Sequence, residues 1–241
     1  MKFRSPLEED NLQHAERGGG AEYSVELPSG KHLWFELQWR PVAGRWIRPD
    51  QEPDATQLVD RSCGIKGSAA RLLCPEDNLL QVALHTAKHS YVRAPGFRLH
   101  TDVDRIVRSS KINWKKFVAQ VNQLQVRTPV FLSLAFAKEL LGTPIPTEML
   151  SKISPSSVKV KFLSRWLQNV GLFDPDGKKW GRFSYIFFVA FLYDDFKGLV
   201  KSVFPSVESI NDYYSNKNKV LIPFLYARRL FTLLLKRTLV K

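Results

Sequence analysis

The 241 residues (27.7 kDa) have room for one large domain or two small ones, and 44% hydrophobic and 12% aromatic residues exclude a wholly disordered chain. No apolar run reaches the roughly 18 residues of a spanning helix, the start lacks a signal-peptide pattern and two cysteines cannot form a disulfide framework, so we expect a cytoplasmic protein. The net charge of +13 is the sum of −4 over residues 1–60 and +17 over residues 61–241. The excess of positive charge after residue 60 indicates either a polyanionic partner or a role in solubility alone.

The first part of the chain predicts a loose arm followed by a β-hairpin. Residues 1–21 are polar and contain three consecutive glycines, which is typical of an arm. Two strand-like runs, Tyr23–Leu27 and His32–Arg40, flank a Pro-Ser-Gly-Lys sequence with good turn chemistry. Alternate residues of the second run form an apolar face that we expect to pack on the core: Leu33, Phe35, Leu37 and Trp39.

From Cys74 onward the pattern is helical, so the predicted fold class is α+β and predominantly α, with the hairpin followed by a helical bundle. Residues 22–73 comprise the hairpin and a connecting loop with a short helix near residues 55–59, and residues 74–241 form the helical domain. Pro75 begins one helix, Asn113 caps another and Gly142 ends a third. Further helices are expected over about 97–107, 156–171, 182–195, 196–204, 207–214 and 221–238.

Several stretches resemble one family in their order and spacing. They are LWFELQWR (Leu33–Arg40), LLCPEDNLLQVALHTAKH (Leu72–His89), FRLHTDVDRIVRSSKINWKKF (Phe97–Phe117) and a tail segment (Phe204–Phe224). From about residue 22 to its end the chain resembles the uncharacterised nucleotidyltransferases of the polymerase-β-like superfamily. Residues 22–73 would then be part of a nucleotidyltransferase-like domain, with the hairpin as a remnant of its sheet.

The resemblance implies Mg²⁺-dependent transfer of a nucleoside monophosphate from an NTP to an unknown acceptor. Glu36 matches the third carboxylate of the family, which implies a catalytic role and a Mg²⁺ ligand. Asp102 also stands at a matching position, and its implied catalytic role is to act as a base or to orient a histidine. The alternative for Glu36 is an ordinary solvent-facing acid of a strand.

The chain departs from the family in one respect, because such enzymes carry a Gly-Ser turn and a D-x-D pair before the strand that bears the glutamate. Only 35 residues precede Glu36, and they contain no such pair. Either upstream sequence or a partner chain supplies the aspartates, or the chain is a degenerate relative. Asp102 and Asp104 are not that pair, since a helical period places their side chains about 200° apart. Gly67-Ser68 followed by Glu76-Asp77 does not match the Gly-Ser turn and aspartate pair of the family either, since adjacent acids at the start of a helix point in different directions.

His85, Lys88 and His89 share one region of the predicted helix that begins at Pro75. They could bind the phosphates of a nucleotide or acceptor, or they could form a hydrogen-bonded face that packs on Asp102. Zinc is disfavoured because Thr86 stands where the H-E-x-x-H motif has its glutamate, and because no third ligand is evident.

Arg98 is a further candidate for phosphate binding, although its spacing from Asp102 also fits an ion pair within a helix. Cys74 is expected at a helix N-cap, where it would cap weakly, and nothing suggests an activated thiolate.

The last 21 residues, 221–241, form a basic amphipathic segment with no acidic residue. It fits a helix of the bundle or contact with an anionic membrane surface, and no nucleic-acid-binding motif is visible. Three functions therefore remain: a nucleotidyltransferase, a non-catalytic module that binds a nucleotide, phosphate or protein, and a peripheral membrane protein.

Overall fold

The computed structural model describes residues 19–42, 46–93, 96–171, 181–214, 216 and 218–239. Within these ranges the fold is α+β and predominantly α, as the sequence predicts. The strands are β1 (Gly20–Glu26), β2 (His32–Gln38), β3 (Cys63–Gly64) and β4 (Arg71–Leu72). The helices are α1 (Ala55–Arg61), α2 (Pro75–Lys88), α3 (Arg98–Ser109), α4 (Trp114–Gln123), α5 (Arg127–Leu141), α6 (Thr147–Ile153), α7 (Ser157–Val170), α8 (Arg182–Leu192), α9 (Phe196–Val203), α10 (Val207–Tyr214) and α11 (Ile222–Leu239). Of the predicted arm, residues 1–18 lie outside the described ranges.

Strands β1 and β2 form the predicted antiparallel hairpin, with Tyr23 opposite Phe35. Its turn closes through a hydrogen bond of 2.8 Å from the Leu27 amide to the Lys31 carbonyl. Gly30 has a φ of +74°, a left-handed conformation that glycine adopts without steric cost. A second two-stranded ribbon pairs β3 with β4.

The expected packing of one β2 face on the core is wrong. The large apolar side chains of both faces are between 43% and 66% exposed: Leu33, Trp34, Phe35, Leu37 and Trp39. The helical bundle does not cover this strand, and the hairpin joins the bundle at its end instead. There Arg40 forms an ion pair with the buried Glu52, and the Gln81 side chain donates to the Pro41 carbonyl.

The segment between the hairpin and α2 was expected to be a connecting loop, but much of it is buried. Trp46 belongs to the main core, and its carbonyl accepts a hydrogen bond of 2.5 Å from the Tyr193 hydroxyl. The buried Arg48 donates to the Gly198 carbonyl over 2.8 Å. The sequence hides this role because contacts with residues so distant along the chain leave no local pattern. The predicted short helix is confirmed as α1.

The core of the bundle forms where α2, α3 and α5 pack together, with α4 and α6 beside them. Its fully buried residues include Leu79, Leu80 and Leu84 of α2, Phe117 of α4, and Val130 and Leu134 of α5. The caps are confirmed: Asn113 accepts from the Lys116 amide over 3.0 Å at the start of α4, and Gly142 ends α5 with a φ of +63°. Helix α6 was not predicted, because it is short and begins after Pro146 without a side-chain cap.

The acidic first turn of α2 ties three helices together. Asp77 is fully buried and accepts from Arg61 of α1 over 2.8 and 3.0 Å and from Gln120 of α4 over 2.8 Å. Glu76 accepts from the Asn113 amide over 2.7 Å. The Pro-Glu-Asp sequence therefore fixes the arrangement of α1, α2 and α4 in addition to starting α2.

None of the described helices combines the length and apolar character needed to cross a membrane.

Candidate functional site

The candidate site is centred on the last turns of α2, which carry His85, Lys88 and His89. The two imidazole rings lie on one face of the helix, with their centroids 4.7 Å apart and their planes at 51°. All three side chains are half-buried. This end of α2 therefore presents a cation beside two polarisable rings, partly shielded from water.

The pKa of His85 is affected by charges from two other elements. The pKa of His85 is lowered, chiefly by burial of the imidazole and also by the positive charges of His89 and Lys88. Glu36 of β2 and Asp102 of α3 act on it in the opposite direction. Glu36 and Asp102 are therefore the two carboxylates whose charge reaches His85.

The two carboxylates have different settings. Glu36 lies on the exposed hairpin, where its carboxylate accepts a hydrogen bond from the Gln38 side chain. Asp102 is half-buried and makes no hydrogen bond or ion pair with another described residue. Asp102 is therefore placed to interact with His85 or with a ligand and is not committed to holding helices together.

Arg98 is the predicted site residue for which the described residues show no contact with this cluster. It is the first residue of α3, its side chain is exposed and the suggested ion pair with Asp102 is not formed. Four of the other five predicted site residues thus act on the pKa of His85, whereas Arg98 lies one helical turn from Asp102 and is not among them.

The described residues do not form a complete metal site. No group of three or more His, Cys, Asp or Glu side chains among them could hold a metal ion. Glu36 offers one carboxylate to Mg²⁺, which prefers six oxygen ligands, so the described residues do not fit that ion by themselves.

Other acids with suggestive sequence patterns have structural roles. Asp104 accepts from Arg108 over 2.8 Å and from the Thr143 hydroxyl over 2.7 Å, and it shares helix α3 with Asp102. Both aspartates lie on a helix, as the sequence predicts, and not on a strand. Gly67-Ser68 lies in the turn between β3 and β4.

Cys74 is the N-cap of α2, as predicted, and its thiol donates to Asp77 over 3.0 Å without capping the helix. Burial, together with the hydrogen bond to Asp77, raises the pKa of this thiol. It is therefore protonated at neutral pH and is a poor nucleophile.

A strained turn after α2 sets the position of the site and was missed in the sequence. Ser90 and Tyr91 are buried and adopt φ angles of +54° and +64°, which are unfavourable for residues other than glycine. The Tyr91 hydroxyl donates to the Pro129 carbonyl over 3.0 Å, and the Tyr91 carbonyl lies 3.1 Å from His100 Nε2. These contacts fix the end of α2 against α3 and α5. No glycine or other turn signal marks the two residues.

Comparison with known proteins supplies the family. A search of curated proteins and a search of solved structures each found no match. A sequence model described as "uncharacterised nucleotidyltransferase" matches residues 3–142, which span the hairpin, the helices α1 to α5 and every residue of the candidate site. The match covers more than half of the chain, and the chain therefore belongs to this family of uncharacterised nucleotidyltransferases.

Proposed function

We propose that the protein transfers a nucleoside monophosphate from an NTP to an acceptor hydroxyl, and that the residues around His85 bind the phosphates. The observation that supports this most directly is that the charges of Glu36, Lys88, His89 and Asp102 all act on the pKa of His85. These residues come from three elements of a chain that belongs to a nucleotidyltransferase family.

Each residue of the cluster has a role in the proposal. Lys88 offsets the negative charge of the phosphates, and Arg98, which lies outside the cluster at the start of α3, provides a second cation. His85 is neutral near pH 7 because its pKa is lowered, so it can take the proton of the attacking hydroxyl as that oxygen bonds to the α-phosphorus and pyrophosphate leaves. Asp102 stabilises the imidazolium that forms.

Glu36 would contribute one carboxylate to a Mg²⁺ site whose other ligands come from outside the described residues, in this chain or in a partner chain. The exposed apolar faces of β2 support such an addition. A two-stranded ribbon is marginally stable by itself, whereas further strands would bury those side chains. Additional strands that carried the aspartate pair would both supply the remaining Mg²⁺ ligands and cover the apolar side chains of β2.

The test is pyrophosphate release from NTP in the presence of Mg²⁺, with an extract of the native cells as the source of acceptor and of any partner chain. Glu36→Gln is expected to lower the rate by roughly 100-fold or more, since it removes a carboxylate from the reacting centre. Glu26→Gln is the matched control, because Glu26 is an exposed glutamate of the same hairpin. Equal rates in the two variants, or no release by the unmodified protein, would contradict the proposal.

The second candidate is a non-catalytic module that binds a nucleotide or phosphate. The observation in its favour is that the described residues contain no group able to hold a metal by itself. This module would bind NTP equally well with Mg²⁺ and with a chelator, and it would release no pyrophosphate. Release that depends on Glu36 would exclude it.

A further inference from the structure

An open surface cavity of about 740 Å³ lies between the end of α10 and the start of α11, and its described lining shares no residue with the His85 cluster. Tyr214 lies at the end of α10, Lys219 lies in the three-residue helical turn before α11, and Phe224 and Arg228 lie in the first turns of α11. The described lining residues include two cations and no carboxylate. The cavity is therefore suited to an anion.

Neither cation forms an ion pair among the residues that the structure describes. The side chains of Lys219 and Arg228 are exposed, and neither makes a hydrogen bond or an ion pair with another described residue. The Arg228 guanidinium lies 5.1 Å from the centroid of the Tyr214 ring. A guanidinium that stacks on an aromatic face keeps its N–H groups free to bind an anion.

The neighbouring arginine shows by contrast what a structural arginine does here. Arg229 donates to the carbonyls of Ser202 and Val203 over 3.0 and 3.4 Å and so attaches α11 to α9. Arg228 is the next residue on the helix and makes no such bond. Arg229 thus attaches α11 to α9, whereas Arg228 lines the cavity.

The polar amides of the cavity hold its shape. The Asn216 side chain donates to Asn211 and to the Asn218 carbonyl, each over 2.8 Å, and the Asn218 side chain accepts from the Val220 amide over 3.0 Å. These bonds fix the positions of Asn216 and Asn218 before a ligand arrives. Among the described lining residues, Lys219 and Arg228 are then the charged groups that can bind a ligand.

We propose that this cavity binds a phosphate group through Lys219 and Arg228. Phosphate is favoured because a guanidinium fork can bind two of its oxygens while an ammonium group neutralises remaining charge. The phosphate could belong to a soluble molecule or to a lipid headgroup. An apolar rim is compatible with either, since Phe224 is 65% exposed and could contact a ligand ring or enter a membrane interface.

The experiment uses the full chain and two probes. The first probe is inorganic pyrophosphate, followed by the amide NMR signals of residues 218–228. The second is sedimentation with vesicles of phosphatidylcholine containing 20% phosphatidic acid. The double variant Lys219→Gln/Arg228→Gln is compared with Lys111→Gln/Lys115→Gln, which removes two exposed lysines that do not line the cavity.

In the unmodified protein we expect saturable signal changes with pyrophosphate, or sedimentation that requires phosphatidic acid. The cavity variant should bind roughly 30-fold more weakly, at about fivefold for each lost cation, whereas the lysine control should be unchanged. A response to pyrophosphate alone assigns a soluble ligand, and a response to vesicles alone assigns a headgroup.

The proposal is overturned if neither probe binds, or if the two double variants bind equally well. Neither variant alters the His85 cluster, so this result is independent of the nucleotidyltransferase test. Loss of pyrophosphate release in Glu36→Gln with unchanged binding at residues 218–228 would support both proposals separately.

Discussion

Replacing the buried Asp77 by alanine is expected to destabilise the protein strongly. The carboxylate is fully buried and accepts two hydrogen bonds from Arg61, one from Gln120 and one from the Cys74 thiol. These bonds also hold the pKa of Asp77 below its ordinary value against the effect of burial, which acts in the opposite direction. Alanine would leave all three partners without their acceptor.

The size of this effect follows from the exposure of the partners. Breaking a buried ion pair from one side costs about 3–5 kcal/mol. The Arg61 side chain is 32% exposed, so water can solvate its charge in the variant. We therefore expect a loss in the free energy of unfolding at the lower end of this range, about 3 kcal/mol. At about 2–4 °C per kcal/mol for a chain of this size, the Tm should fall by roughly 6–12 °C.

Thermal unfolding followed by circular dichroism measures this loss. Glu148→Gln is the control, because Glu148 pairs with Lys152 one turn along an exposed helix face, and it should leave the Tm unchanged. Arg61→Ala combined with Asp77→Ala should cost less than the sum of the single changes, since both remove the same interaction. A Tm for Asp77→Ala equal to that of the control, or strictly additive effects, would refute the reasoning.

Three further predictions concern the histidines and the core. Burial lowers the pKa of both His85 and His100, so just below the ordinary histidine pKa of about 6.5 the unfolded chain binds more protons than the folded protein. The free energy of unfolding should therefore fall as the pH drops below that value. Urea unfolding at pH 7.5 and 5.5 measures this, and a higher stability at pH 5.5 would contradict the prediction. Glu36→Gln removes a charge that raises the pKa of His85, so an NMR titration should show this pKa lower still, and an unchanged value would mean that the hairpin lies elsewhere. Phe117→Ala should cost about 3–5 kcal/mol in urea unfolding because Phe117 is fully buried, and a loss below 1 kcal/mol would contradict the described core.

Local signals predicted the helices well because the ends of helices are chemically marked. Pro75, Asn113 and Gly142 each stand where the structure begins, caps or ends a helix. Helix α6 lacks such a mark. The exposure of β2 could not be predicted, since alternation reveals that a face is apolar and does not reveal what covers it.

The site was predictable only in part, for a similar reason. The spacing of His85, Lys88 and His89 follows from helical geometry. The effects of Glu36 and Asp102 on His85 depend on how the hairpin and α3 pack. The sequence offered Asp102 as one possible packing partner of this helix face, and it did not predict that Glu36 acts on His85. The strained Ser90-Tyr91 turn has no signal in the residues themselves, because tertiary contacts force a conformation that they disfavour.

The most direct test of the central claim is the affinity of the protein for NTP, measured by calorimetry with Lys88→Gln and with Lys115→Gln. Lys88 lies beside His85, whereas Lys115 is an exposed lysine of α4. If the His85 cluster binds the phosphates, Lys88→Gln should weaken binding by roughly tenfold or more, and Lys115→Gln should leave it unchanged. Equal affinities in the two variants would place the nucleotide elsewhere and contradict the account.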